Sequence, residues 1–86
     1  MKLVGQGFIQ VNSLNDIHSR KGVTKSYFSK KDQISLDKGW DSSKPAKIYF
    51  SKGKAVKLLD GRHRSAYFVL IGKPDYMVPV EFYTDD

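Results

Sequence analysis

The residues best suited to chemistry in this 86-residue chain stand together at Asp60-Gly61-Arg62-His63-Arg64. Guanidinium forks match phosphate oxygens in two-pronged hydrogen bonds, and a glycine beside them lets the backbone approach closely. A carboxylate at the same place can accept a proton from a nucleophile or position magnesium, and an imidazole can donate to phosphate or shuttle a proton near neutral pH. Asp60 and His63 are therefore the candidate catalytic groups, and Gly61, Arg62, His63, Arg64 and Ser65 the candidate cradle for a phosphate-bearing cofactor. Each side chain also has a structural alternative. Asp60 can cap a helix, and Arg64 can pair with Asp60 or with an acid of the C-terminal segment. His63 can pack and satisfy backbone groups, and Arg62 can face solvent.

The flanking residues indicate what positions this group. Ala66 to Ile71 is an unbroken apolar run, a pattern shared by buried strands and buried helices. Asp60 suits an N-cap, Gly72 a C-terminal stop, and Pro74 follows where a helix cannot continue, which predicts a buried helix from about Gly61 to Ile71. Three cationic or protonatable side chains in its first turn oppose the helix macrodipole and one another. A bound anion resolves that conflict by accepting from the free N–H groups of the helix start.

Upstream, Phe8-Ile9-Gln10-Val11 predicts a short strand, and Ser13, three residues before Asp16, a helix start. Beyond the basic loop around Arg20-Lys21-Gly22, Ser29 is placed to cap a second helix running through Ile34 and Leu36 to Gly39. Pro45 disfavours helix at Lys44 and opens Ile48-Tyr49-Phe50, which Lys52-Gly53-Lys54 separates from Ala55-Val56-Lys57-Leu58-Leu59, a β-hairpin pattern. Val78, Val80 and Phe82 alternate with Pro79 and Glu81 in a last strand, and the proline suggests an edge or strand-start position.

Charge is uneven along the chain. From His18 to Lys57 eleven Lys/Arg face three acids, whereas the last twelve residues hold four acids and no base. With a net charge of +6, the basic middle makes a polyanion a natural partner. Lys44, Lys47, Lys52 and Lys54, with Trp40 as a stacking surface, are the candidate nucleic-acid contacts; the alternatives are lysines that keep a small domain soluble and a Trp40 that belongs to the core. His18 and His63 lack ligand-spaced partners, so no structural zinc or other tightly bound metal is expected. Cysteine is absent, which excludes disulfides and thiol nucleophiles. No signal-peptide pattern and no membrane-length apolar run occurs, so a soluble, cytoplasmic protein is expected.

Leu58-Leu59-Asp60-Gly61-Arg62-His63-Arg64-Ser65-Ala66, followed by Leu70-Ile71-Gly72 and Val78-Pro79-Val80, resembles the ParB/sulfiredoxin superfamily. The resemblance covers roughly residues 45 to 83, reaches back to Phe8–Val11, and does not extend over residues 18 to 44. It implies one α+β domain over residues 1–86, with a mixed sheet, a β-hairpin and a buried helix after the phosphate-binding turn. It also implies ATP or CTP at that turn, with magnesium as a possible companion. Sulfiredoxin activity is excluded, because Arg62 stands where that enzyme has its cysteine. Partition proteins commonly have glutamate at the position of Arg62 and arginine at that of His63, and carry further domains that do not fit in this length. The serine-kinase members match Asp60 but use an upstream glutamate, and the only glutamate here is Glu81.

Three functions follow as expectations. The first is a nucleotide- or nucleic-acid-phosphate-binding module, possibly DNA-associated. The second is a magnesium-dependent nuclease, NTP hydrolase or small-molecule kinase using Asp60 and Arg64. The third is a phage- or plasmid-type inhibitor whose basic face grips an acidic protein.

Overall fold

The computed structural model describes residues 1–17 and 23–85; His18, the Arg20-Lys21-Gly22 loop and Asp86 lie outside the described residues. Strand β1 (Lys2–Gln10) runs without a loop into helix α1 (Val11–Ile17). A short 3-10 turn (Lys25–Tyr27) leads to α2 (Lys30–Asp37), and β2 (Ala46–Ser51) and β3 (Lys54–Asp60) form the expected hairpin. Helix α3 (Arg62–Leu70) and strand β4 (Met77–Thr84) complete a small α+β domain.

The four strands form one sheet in the order β1-β4-β2-β3, with β4 antiparallel to β1 and parallel to β2, hence a mixed sheet. Directly paired residues share a face, so the register assigns the two sides. Ala46, Ile48, Leu58, Val78 and Val80 are buried on one side and join Val11, Leu14, Tyr67 and Phe68 of the helices in a single core. On the other side, Lys47 pairs with Glu81 and Asp60, Tyr49 with Tyr83, and Pro79 with Phe8. None of these residues belongs to the buried core.

Helix α3 lies where its sequence requires. Ser65, Ala66, Tyr67 and Phe68 are buried in succession, so the helix is covered on several sides rather than along one stripe, as its unbroken apolar run anticipates. It ends as expected: Gly72 adopts φ +78°, and the amide of Lys73 donates to the Phe68 carbonyl at 2.9 Å. Tyr67 donates its hydroxyl to Asp37 Oδ1 at 2.6 Å, tying α3 to α2, and this bond raises the tyrosine's pKa. Ser29 also acts as expected, its side chain accepting from the Asp32 amide at the start of α2.

Four expectations are corrected. The first strand begins at Lys2 and ends before Val11, and Ser13 does not cap α1. Backbone carbonyls do that work, since the amides of Val11 and Asn12 donate to Tyr76 and Pro74 at 2.8 and 3.0 Å. Asp60 does not cap α3; it is the last residue of β3, and the N-cap is Gly61 at φ +107°. Strand β4 is interior rather than an edge. Pro79 is tolerated because pairing with β2 begins only at Val80, so at Pro79 only β1 is paired.

Gly61 has no room for a side chain. A Cβ there would stand 3.0 Å from that of Ala46 and 3.3 Å from the Trp40 ring, at a φ that side-chain-bearing residues rarely adopt. Gly61→Ala is expected to cost about 2–4 kcal/mol of stability, combining left-handed strain with overpacking. Urea unfolding followed by circular dichroism checks this; an unchanged midpoint would mean that the turn is not so confined.

Candidate phosphate-binding site

The strand-to-helix turn sets the geometry of the site. Within α3 the first intrahelical bond runs from the Ser65 amide to the Gly61 carbonyl, at 2.9 Å. The amides of Arg62, His63 and Arg64 therefore precede any intrahelical partner, and among the described residues none accepts from them. They open beside a concavity of about 210 Å³ lined by residues 59–64.

The two arginines of the turn have different surroundings. Arg64 folds back: its guanidinium lies over the Trp40 ring, 4.3 Å from the centroid, donates through Nη1 to the Lys44 carbonyl, and has Nη2 3.5 Å from Asp60 Oδ2. Burial pulls its pKa below the ordinary value, and Asp60 and Asp41 oppose that shift; an arginine so placed stays cationic. Arg62 is half-buried, and among the described residues no acid lies within ion-pair reach of it. Arg62 rather than Arg64 is thus the guanidinium available to an incoming anion.

His63 and Ser65 are engaged elsewhere. The His63 ring packs 4.4 Å from Phe28 and 5.4 Å from Tyr27, centroid to centroid, with Nε2 3.9 Å from Asp32 Oδ2. Asp60 and His63 border the same concavity but have different partners, and the structure does not couple them as an acid–base pair. Ser65 is corrected as a cofactor ligand. It is fully buried, its hydroxyl donates to the Arg62 carbonyl at 3.1 Å, and its amide is spent on Gly61.

Trp40 is likewise corrected as a stacking surface for nucleic acid. Only 7% of it is exposed, because Phe68 stacks on it, Arg64 covers its ring, and Nε1 donates to the Lys44 carbonyl at 2.9 Å. Its role is to wedge against Gly61 and hold the turn. The loop that carries it is shaped by Asp41, whose Oδ1 accepts from the hydroxyl and amide of Ser43 at 2.7 and 2.9 Å. Those two bonds hold the Asp41 pKa below its ordinary value. The Asp41-Ser42-Ser43 spacing is a local turn signal, since an aspartate side chain readily accepts from the backbone two residues on.

The four candidate lysines divide into two pairs. Lys44 and Lys47 border a concavity of about 500 Å³ together with Asp60, Arg64 and Glu81, next to the turn. Lys52 and Lys54 sit at the tip of the hairpin, roughly 17 Å along β2 from Lys47. The structure does not bring that pair to the turn at residues 60–64. Among the described residues no group of three acids or histidines stands close enough to hold a metal ion, and no helix is long and apolar enough to cross a membrane.

Comparison with family models, with curated proteins and with solved structures gives no match.

Arg64 is a positioning residue for the 40–45 loop. Arg64→Ala is expected to lower stability by about 1–3 kcal/mol, because it removes a charged hydrogen bond and the cover of an indole. It should also shift Trp40 fluorescence to longer wavelength. Unchanged stability together with unchanged emission would contradict this latch.

Proposed function

We propose that this chain is a small phosphate-binding module of the ParB/sulfiredoxin type, which takes a nucleotide or nucleic-acid phosphate at the start of α3. One observation carries the reading: among the described residues, three consecutive backbone amides, those of Arg62, His63 and Arg64, have no partner, and the arginine beside them, Arg62, has no acid in reach. Such a helix start attracts anions through its amides and its macrodipole together. The order of hairpin, Asp-Gly-Arg-His-Arg turn, buried helix, glycine and final strand supports the family assignment.

Phosphate oxygens would accept from the amides of residues 62–64 and from the Arg62 fork. Arg64 contributes positive charge from behind while its contacts fix the turn. Lys44 and Lys47 extend the attraction towards the rest of a polyanion. Asp60 has 59% of its side chain exposed at the edge of the site, and it is the carboxylate that would position magnesium on ATP or CTP, or activate a nucleophile.

Calorimetry with inorganic phosphate, ATP, CTP and a short DNA, with and without magnesium, tests the reading. Arg62→Ala is expected to weaken phosphate binding about tenfold, the worth of one charge-assisted hydrogen bond, without unfolding the domain. Wild-type affinity in a folded Arg62→Ala protein would contradict the site. If any ligand is turned over, Asp60→Asn should abolish turnover more than binding; loss of stability alone would return Asp60 to a purely structural role.

A further inference from the structure

The face of the sheet turned away from the helices carries aromatic rings interleaved with lysines. Tyr49 and Tyr83 are direct partners on the two central strands, β2 and β4, and Phe8 on β1 is 66% exposed. Phe8 pairs with Pro79, four residues before Tyr83 on β4, which puts it roughly 13 Å along the sheet from the tyrosine pair. Lys57 pairs with Tyr49 and Lys54 with Ser51, so these two lysines and Lys47 lie on the same side.

The charges on this face are unequally engaged. Asp60 faces Arg64, Glu81 accepts from the Tyr83 hydroxyl at 3.0 Å, and Asp85 accepts from the Tyr49 hydroxyl and pairs with the Met1 amino group, both at 3.0 Å. Each acid thus has an internal partner, and two of them steady a ring. Among the described residues, Lys47, Lys54 and Lys57 have no acid within ion-pair distance. A groove of about 450 Å³ between Phe8, Ser43, Pro45 and Glu81 shares its lining with the concavity at Lys44, Lys47 and Arg64. The sheet face and the start of α3 therefore lie on one continuous path.

We propose that this open sheet face binds a single-stranded nucleic acid, with bases stacked on Phe8 and on the Tyr49–Tyr83 pair and the backbone held by Lys47, Lys54 and Lys57. Phe8 is exposed and Tyr49 and Tyr83 are half-buried; rings accessible on the face of a four-stranded sheet hold unpaired bases in this way, and base–aromatic stacking is tolerant of sequence. Two separate stacking places require more than one base, so the occupant is an oligonucleotide rather than a mononucleotide. The inference extends the phosphate site and rests on that reading for one backbone phosphate, which α3 would hold at the end of the path.

Fluorescence polarisation with labelled single-stranded DNA and RNA of about twelve nucleotides, at low salt, tests it. Phe8→Ala and Tyr83→Leu should each weaken binding by about tenfold, as expected for the loss of one stacked base, while leaving the calorimetric affinity for inorganic phosphate unchanged. Lys57→Glu, at an exposed position, should also weaken binding and reduce its salt dependence. Oligonucleotide binding that survives the ring and lysine substitutions but is lost in Arg62→Ala would overturn the sheet-face inference and leave the phosphate site standing. Binding sensitive to the rings but not to Arg62 would uphold the sheet face and reject the phosphate site. No binding of either oligonucleotide, or equal affinity for a mononucleotide, would overturn the inference.

Discussion

Between β3 and α3 the backbone passes through a left-handed position pressed between the methyl of Ala46 and the ring of Trp40. Only glycine fits there, and the start of α3 follows from that confinement. The indole is held in turn by Phe68 from α3, by its bond to the Lys44 carbonyl, and by the Tyr76 hydroxyl, which accepts from its amide at 2.9 Å. Helix, hairpin and the 40–45 loop thus meet at one residue, and a disturbance at any of the three would be felt at the first turn of the helix.

This arrangement explains why two arginines two residues apart do different things. Arg64 is drawn inward to cover the indole and to satisfy a loop carbonyl, and its charge is met by Asp60. Arg62 keeps its charge without a described acid beside it, at the end of the helix where the macrodipole is already positive. Each cation so placed is disfavoured by about 0.3–1 kcal/mol, and an arriving anion offsets that cost while it satisfies the orphan amides. That balance of charge and unpartnered amides is what the proposed phosphate site rests on.

Much of this was legible in the residues. The Ser29 cap, the hairpin around Lys52-Gly53 and the buried helix before Gly72 all carry local signals, because capping and tight turns are decided within a few residues. What local signals could not supply were long-range substitutes for them. Ser13 looked like a cap, but α1 borrows carbonyls from residues 74 and 76. Asp60 looked like another, but the strand continues through it and glycine takes the cap position. Pro79 suggested an edge, yet β4 is central because its second neighbour joins one residue later. At the site, the strand-to-helix turn was legible at Asp60-Gly61, while the contrast between Arg62 and Arg64 depended on where Trp40 folds. An aromatic between glycine and aspartate gives no local sign of whether it will be core or surface.

Whether the first three amides of α3 hold an anion is read out by a phosphate titration followed through the amide resonances of the protein. The amides of Arg62, His63 and Arg64 are expected to shift together, to one common affinity, ahead of every lysine-rich segment. Shifts spread evenly over the lysines, with those three amides unmoved at saturating phosphate, would contradict it.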